Sequence, residues 1–216
     1  MTSVDLDRIL GRVSKPARYS GGEWNSVVKD WSRTPLRVAL AYPDVYDIGM
    51  SNLGLAILYE VLNQEEGVLC ERVYAPWTDM EQVMRQEGIP LFSLETRHPL
   101  GEFDVIGFSL SYELTYTNVL NMLDLAGLPI LATERRRALP LVIAGGSGAL
   151  NPEPLADFID AFALGDGEEL VLDIVDCVRR FKDRGGRSKR QLLRQLAASE
   201  GIYVPRFYDV LYHPDG

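Results

Sequence analysis

Small and polar residues collect in four short segments of the sequence, each of which follows an apolar run. These segments are PDVYDIGMSNLG at residues 43–54, SLSYE at 109–113, GGSG at 145–148 and GDGEE at 165–169. Glycine permits a ligand to approach the backbone closely, and serine offers a hydroxyl donor and acceptor with little bulk. Loops also need these residues simply to turn, so any one segment has a purely structural explanation. Four of them in one chain favour a ligand-binding site.

Familiar catalytic and phosphate-binding patterns are absent from this sequence. It contains no G-x-x-x-x-G-K-[ST] loop, and its first loop lacks the G-x-G-x-x-G dinucleotide pattern. The two cysteines, Cys70 and Cys177, have no nearby histidine, which argues against thiol catalysis. They lie 107 positions apart, and two cysteines cannot form a disulfide framework, a Cys-rich zinc site or an iron–sulfur cluster within this chain. His98 and His213 each precede a proline and lie far apart in the sequence. The sequence therefore predicts no catalytic residue and no metal ligand.

Apolar runs alternate with amphipathic stretches through most of the chain. The predicted strands cover residues 36–42, 68–74, 91–94, 104–110, 139–144 and 158–164, and the predicted helices cover 51–63, 79–87, 115–126 and 167–182. Strands separated by helices imply right-handed crossovers and a parallel sheet. Strands that are apolar almost throughout indicate that both sheet faces are covered. The sequence thus predicts a doubly wound α/β fold, flavodoxin- or Rossmann-like, with a mostly parallel sheet, helices on both faces, and N- and C-terminal appendages.

This fold class gives the four polar segments a common location. Each of them follows a predicted strand, and the carboxyl ends of parallel strands meet at one edge of the sheet. Ligands of open α/β sheets bind at that edge, near the switch in strand order. The segments are therefore expected to surround one site.

Charge and hydropathy limit the classes of partner. The chain has 216 residues and a formal net charge of −9, which disfavours non-specific nucleic-acid binding overall. Residues 179–194 are an exception, with eight basic residues against Asp183 and a local net charge of +7. Such a run is usually a solvated helix face, and the alternative is a docking surface for an acidic partner. No membrane span and no signal segment are present in the sequence, and the cysteine usage suits a reducing compartment, so a cytoplasmic location is expected.

The C-terminal residues predict a hairpin that is not completed. A helix is predicted over residues 188–199 and a strand over 206–212, and Pro-Asp-Gly at 214–216 is a hairpin turn signal. No second strand follows this turn. The expectation is a chain cut from a longer one.

The first polar segment resembles a loop of a known family. DVYDIG at residues 44–49 is similar to the D-x-H-x-x-G loop of cobalamin (B12)-binding domains, with Tyr46 in the histidine position. The resemblance implies that Asp44, Tyr46 and Gly49 contact cobalamin. A phenol is mostly protonated at neutral pH and is a poor ligand for cobalt, so Tyr46 is expected to cap the lower face of the corrin ring. Asp44, with no histidine to orient, is expected to bond to the loop backbone.

The later segments are similar to the same family. Ser109 and Ser111 lie where the family has an S-x-L segment after its fourth strand, with Ser111 in place of the leucine. Gly145 and Gly146 lie where it has Gly-Gly after its fifth strand. The resemblance implies that the nucleotide tail of cobalamin passes between strands and helices along these four residues. Glycine suits this passage at 145 and 146, because a Cβ there would occupy the path of the tail.

Five segments carry a closer likeness, to the N-terminal region of B12-binding-domain-containing radical S-adenosylmethionine (SAM) proteins. They are KPARY at 15–19, GMSNLG at 49–54, NPEP at 151–154, GDGE at 165–168 and GIYVP at 201–205. In that family a (β/α) barrel follows, and its C-x-x-x-C-x-x-C triplet holds a [4Fe–4S] cluster. This sequence contains no such triplet. The resemblance implies that the cluster, SAM and catalysis belong to a barrel absent from this chain, and that the barrel is its partner.

The leading hypothesis divides the chain into three parts. They are an extension at residues 1–35, a cobalamin-binding-like domain at 36–183, and a helix and strand at 184–216 that lead to the radical SAM barrel. The alternative is a degenerate B12-like fold that docks a protein or RNA partner. A receiver-like or nucleotide-binding domain ranks below both, because the residues those functions require are missing. Bulky side chains beside Gly145 and Ser109 would favour the docking alternative.

Overall fold

A six-stranded sheet organises the residues that the computed structural model describes, which are 6–209, 211 and 213. The strands are β1 Leu36–Tyr42, β2 Val68–Tyr74, β3 Val105–Ser109, β4 Leu141–Gly145, β5 Ala161–Ala163 and β6 Ile202–Tyr203. They lie in the order β2-β1-β3-β4-β5-β6, and all neighbours are parallel except β5 and β6. This topology confirms the predicted α/β fold with a mostly parallel sheet.

Helices cover both faces of the sheet. They are α1 Asp7–Leu10, α2 Ala17–Ser20, α3 Tyr46–Gly49, α4 Leu53–Gln64, α5 Thr78–Glu87, α6 Tyr116–Leu125, α7 Gly167–Asp183 and α8 Lys189–Leu196. The buried residues of α4, α7 and α8 pack on one face, and those of α1, α5 and α6 pack on the other. Strand β1 serves both sides, since Val38 and Leu40 join the first core while Ala39 and Ala41 join the second. Covered faces therefore explain why the strands are apolar almost throughout.

The helices predicted within the α/β region are confirmed by α4, α5, α6 and α7. The helix predicted over residues 188–199 is confirmed by α8, which ends at Leu196. The longest of them, α7, has 17 residues and a polar outer side. None of the described helices is both long enough and apolar enough to cross a membrane.

The prediction of a strand at residues 91–94 is wrong. The segment runs beside the edge strand β2, where the Leu94 N–H donates to Arg72 O at 2.8 Å. Its one β-bridge joins Phe92 to Pro99. The apolar side chains of the segment are nevertheless buried. Its apolar pattern thus indicated burial correctly but did not indicate a place in the sheet.

Strand β5 is shorter than the strand predicted at residues 158–164. The backbone N–H groups of Phe158 and Ile159 both donate to Leu155 O, at 2.9 and 3.1 Å. These two residues therefore close a turn, and regular pairing with β4 begins only at Ala161.

The C-terminal strand prediction is also wrong where the structure describes it. A single 3-10 turn, Pro205–Phe207, occupies the start of the strand predicted at 206–212. The last strand of the sheet comes earlier, as β6, and runs antiparallel to β5. Residues 210, 212 and 214–216, which hold the predicted hairpin turn, lie outside the described residues.

The described part of the N-terminal segment, predicted as an extension over residues 1–35, packs on the core. Ile9 and Val13 are buried on the face that holds α5 and α6. Trp31 stacks on His98 with ring centroids 3.6 Å apart and an interplanar angle of 4°. The segment thus contributes apolar surface to the core, and its boundary at residue 35 stays a prediction.

Asn52 supplies the N-cap of α4, and its removal is expected to weaken the fold. Its Oδ1 accepts a hydrogen bond from the Leu55 N–H at 2.8 Å. Asn52→Ala leaves that N–H without its side-chain partner, which is expected to lower the free energy of unfolding by about 1 kcal/mol in urea titrations. Ser51→Ala removes only an exposed bond to Ile48 O and is expected to cost less than about 0.5 kcal/mol. Equal losses in the two variants would contradict the capping role.

Candidate functional site

A groove of about 200 Å³ lies between the sheet and the helices α4 and α7, towards the carboxyl ends of the strands. The sheet contributes Leu40, Gly107, Ser109, Ile143, Gly145 and Ala163, and the helices contribute Gly54, Leu58, Leu170, Val171 and Ile174. The strand order reverses between β1 and β3, because β2 lies beyond β1 on one side and β4 lies beyond β3 on the other. Residues of β1 and β3 form part of the groove. The groove therefore lies at the switch point where ligands of open α/β sheets bind.

Two glycines open the floor of the groove. A Cβ on Gly107 would lie 3.5 Å from Leu40 Cδ2 and 3.8 Å from Ile143 Cγ1, and a Cβ on Gly145 would lie 3.5 Å from Ala163 O. These are ordinary van der Waals distances, so the packing of the fold tolerates a Cβ at either position. What glycine does here is leave space above the sheet. The space is the groove itself.

The walls of the groove are almost entirely apolar. Ser109 contributes a hydroxyl near the end of β3, and Glu168 contributes an exposed carboxylate from the first turn of α7. No Lys, Arg or His lines the groove among the residues that the structure describes. An apolar cleft with few polar groups suits an uncharged organic moiety better than a phosphate cluster.

Three of the seven predicted site residues, Ser109, Gly145 and Gly146, meet at this groove. Gly146 also has a structural reason to be glycine. Its φ is +94°, and a Cβ would lie 2.6 Å from Leu110 O, closer than real Cβ contacts come. Gly145 has no such requirement, so it is the stronger indicator of a ligand.

Tyr46 lies outside the groove and its hydroxyl is already engaged. The hydroxyl donates to the Glu23 carboxylate, whose other oxygen forms an ion pair with Arg72. The ring packs edge-on against Tyr74, with centroids 5.4 Å apart. Burial and the Glu23 carboxylate raise the pKa of the Tyr46 phenol to about 12. Tyr46 is therefore protonated at neutral pH and anchors the loop to the N-terminal segment.

Asp44 and Ser111 lie at the same sheet edge as the groove but do not line it. Asp44 Oδ1 accepts from the Val45 N–H at 2.7 Å, and the Tyr112 hydroxyl donates to Oδ2 at 3.3 Å. The Ser111 hydroxyl is 3.2 Å from the Tyr42 hydroxyl. Asp44 thus bonds to the loop backbone, as the sequence predicts for a loop without the histidine.

Gly49 is explained by packing alone. A Cβ at this position would lie 2.6 Å from Tyr74 Cε1 and 2.7 Å from Tyr42 Cδ1. Any side chain would therefore displace two tyrosine rings. Its place in the D-x-x-x-x-G pattern reflects the tight contact between α3 and the ends of β1 and β2.

Sequence reasoning missed Gly107 and the helical wall of the groove. Gly107 lies inside the apolar run VIGFS of β3, and a glycine inside a strand is itself a signal of close approach by another group. Leu58 and Gly167 mark where α4 and α7 come together, since a Cβ on Gly167 would lie 3.2 Å from Leu58 Cδ2. That contact joins residues more than a hundred positions apart, and no local pattern indicates it.

Cys70, Cys177 and His98 all lie in packed environments away from solvent or against an aromatic ring. Cys70 and Cys177 are buried in the core between the sheet and α4 and α7, and burial raises the pKa of both thiols. His98 stacks on Trp31, and burial lowers the pKa of its imidazole. Within the described residues, no group of three or more His, Cys, Asp or Glu is arranged to hold a metal ion.

Comparison with models of protein families gives a match to this chain. Residues 54–205 match the model of the family described as radical SAM proteins, N-terminal. This chain belongs to that family. The match confirms the resemblance found in the sequence and extends from α4, through the groove, to the end of β6. No curated protein matches the chain.

Membership in the radical SAM N-terminal family implies SAM and an iron–sulfur cluster as cofactors of the full protein. Within this chain the two thiols lie apart from the groove, Cys70 in β2 and Cys177 in α7. Two cysteines are too few to hold a four-iron cluster, which takes three or four thiolates.

Proposed function

We propose that this radical SAM N-terminal domain binds cobalamin, with the nucleotide tail of the cofactor in the glycine-floored groove. The observation that carries the proposal is the space over Gly107 and Gly145. The fold has no packing reason to keep glycine at these positions, and a side chain at either would fill the groove. The corrin ring would then lie above the carboxyl ends of the strands, next to Ser109 and Gly146.

The chemistry of the groove supports cobalamin over other cofactors of α/β sheets. Flavin mononucleotide and nucleoside phosphates carry a terminal phosphate that requires cations or a glycine-rich phosphate loop. The groove offers no cation and no G-x-x-x-x-G-K-[ST] loop, and Glu168 at its mouth would repel a dianionic terminal phosphate more strongly than the singly charged phosphodiester of cobalamin. The lower base of cobalamin is a flat, uncharged aromatic ring, which suits walls formed by Leu58, Val171 and Ile174.

The proposed mode of binding includes no cobalt ligand from the first loop. The Tyr46 hydroxyl is held by Glu23, away from the groove, and its raised pKa excludes a phenolate at neutral pH. When bound, cobalamin supplies cobalt-centred redox and alkyl-transfer chemistry. The residues of this chain bind the cofactor, exclude water from its tail and orient its ring at the sheet edge.

The same sheet edge supports a further part of the proposal, contact with the radical SAM barrel. Exposed apolar side chains follow the ends of three strands, with Leu53 73%, Leu114 83% and Leu150 74% exposed. Such side chains around the mouth of a groove are typical of a surface that a ligand or a partner covers. The proposed arrangement places the corrin between this rim and the barrel.

Titration of the purified chain with hydroxocobalamin tests the proposal. The cobalamin spectrum and tryptophan fluorescence are followed together, and flavin mononucleotide serves as the comparison ligand. Saturable binding with a dissociation constant below about 100 μM, corresponding to more than about 5 kcal/mol, is expected for cobalamin and not for the flavin. Absence of saturation at that concentration would contradict the proposal, and tighter binding of the flavin would replace it.

Tyr46→Phe tests the absence of a tyrosine ligand. The substitution removes the hydroxyl and its bond to Glu23 but keeps the ring against Tyr74. We expect the affinity for hydroxocobalamin to change by less than about threefold, which corresponds to less than about 0.7 kcal/mol, and the spectrum of the bound cofactor to stay the same, because no cobalt ligand is lost. A changed spectrum of the bound cobalamin would show that Tyr46 reaches cobalt. Tyr112→Phe, which removes an exposed hydroxyl at the same edge, is the matched control.

A further inference from the structure

The basic run at residues 179–194 begins at the opposite end of the sheet from the groove. Lys182 Nζ bonds to Pro35 O and to Asp104 Oδ1, both at 2.6 Å, and these residues directly precede β1 and β3. Arg179 donates to Glu66 O at 3.2 Å, just before β2. The end of α7 is therefore at the amino edge of the sheet.

Two further basic segments join the end of α7 at this edge. The Asp160 carboxylate, just before β5, is 2.6 Å from Lys189 Nζ at the start of α8 and 3.4 Å from Arg135 Nη2. This shared carboxylate brings residues 135–137 close to residues 187–190. The tertiary structure thus adds Arg136 and Arg137, from a distant segment, to the basic run at residues 179–194.

Six exposed arginines at this edge form what is here named the basic edge. They are Arg136, Arg137, Arg180, Arg184, Arg187 and Arg190. None of the six is in an ion pair with another of the described residues, whereas Arg179, Lys182 and Lys189 are. Within residues 134–137 and 179–190, which contain the six arginines, the acidic residues are Glu134 and Asp183. The basic edge therefore carries positive charge that the fold itself leaves uncompensated, in a chain of net charge −9.

The composition of the basic edge distinguishes between polyanionic partners. Residues 134–137 and 179–190, which form the basic edge, include no exposed large hydrophobic side chain, and the exposed Leu131 and Tyr208 lie outside them. Protein interfaces depend on buried aromatic or aliphatic anchors, and single-stranded nucleic acids depend on aromatic side chains that stack on bases. A phosphate backbone needs neither, and guanidinium groups bind phosphates in a bidentate manner.

We propose that the basic edge binds the phosphate backbone of a double-helical nucleic acid. In this arrangement the arginines bind phosphates of the duplex, and the proposed cofactor groove remains free at the opposite edge of the sheet. Binding is electrostatic and independent of base sequence. It is also independent of cobalamin.

Fluorescence anisotropy of labelled 20-base-pair RNA and DNA duplexes with the purified chain tests this inference. At 50 mM salt we expect a dissociation constant of about 1–100 μM for at least one duplex, weakening steeply as salt is raised. The triple variant Arg184→Gln, Arg187→Gln and Arg190→Gln is expected to bind at least about tenfold more weakly, with a salt dependence smaller by about three phosphate contacts. Comparing the dissociation constants of the two duplexes shows whether the basic edge prefers RNA or DNA.

A charge-matched control removes three arginines elsewhere, as Arg8→Gln, Arg12→Gln and Arg85→Gln. These residues belong to α1, α5 and their connection, on the other face of the sheet, and this variant is expected to keep binding within about twofold. Failure of both duplexes to bind at 100 μM, or equal weakening in the two triple variants, would overturn the proposal. Tighter binding of labelled polyglutamate than of either duplex would do the same and would identify an acidic protein segment as the partner.

Discussion

Replacing Gly145 by leucine is expected to weaken hydroxocobalamin binding at least about 100-fold, measured in the same spectral titration. The new side chain would start 3.5 Å from Ala163 O, a distance that the fold tolerates, and would extend into the groove. It would therefore occupy the space proposed for the nucleotide tail while leaving the backbone unstrained. Gly146 is unsuitable for this test, because its φ of +94° and the 2.6 Å approach to Leu110 O would disturb the loop itself.

Two further variants make the groove-filling result decisive. Gly107→Ala places a methyl group on the groove floor with contacts of 3.5 Å or more, and it should weaken binding by a smaller factor than Gly145→Leu. Gly11→Leu adds the same side chain at an exposed position with no atom within 4 Å of the new Cβ, and it should not affect binding. Wild-type affinity in Gly145→Leu would place the cofactor tail outside the groove, even if the native chain binds cobalamin.

Asp160→Asn is expected to cause the largest loss of stability, about 3 kcal/mol or more in the free energy of unfolding. The Asp160 side chain is fully buried, accepts the Val142 N–H at 3.0 Å, and faces the buried cations Arg135 and Lys189. The amide keeps an acceptor for Val142 but removes the charge that balances the two cations. Urea unfolding at neutral pH, with circular dichroism as the signal, measures the loss.

A double variant separates the buried charge from simple disruption of packing. In Asp160→Asn with Lys189→Met, one of the two uncompensated cations is gone, so part of the lost stability should return. Asp173→Asn, on the exposed side of α7, is the matched control and should shift the free energy of unfolding by less than about 0.5 kcal/mol. A loss at Asp160 no larger than that of Asp173→Asn would show that the carboxylate does not hold α8 to the sheet.

The strands were predictable wherever burial and sheet pairing coincide. β1 and β2 agree with the sequence prediction at both ends, because each is covered on two faces and ends at a loop containing proline or glycine. At residues 91–94 the two properties separate. That segment is buried against the edge strand, and a local pattern cannot show whether backbone groups find partners in a neighbouring strand.

The candidate site was predictable as a region but not as a set of contacts. The polar loops after β1, β3 and β4 do lie at one edge, as any parallel sheet requires. Tyr46, although it follows β1 directly, is held away from the groove by Glu23 in a segment that has no regular pattern. Gly107 lies inside an apolar strand, where a glycine is consistent both with a small core residue and with the close approach of another group, so the sequence alone does not decide between them.

The sequence by itself determined the alternation of strands and helices, the edge at which a ligand can bind and, through five short segments, the relationship to radical SAM proteins that the family match confirms. These properties are local or depend only on the order of elements along the chain. Tertiary structure alone decided that the groove is open over Gly107 and Gly145, that Tyr46 is anchored elsewhere, and that Arg136 and Arg137 join the basic edge. Each of these depends on contacts between residues far apart in the chain, and such distances are set only when helices and sheet pack together.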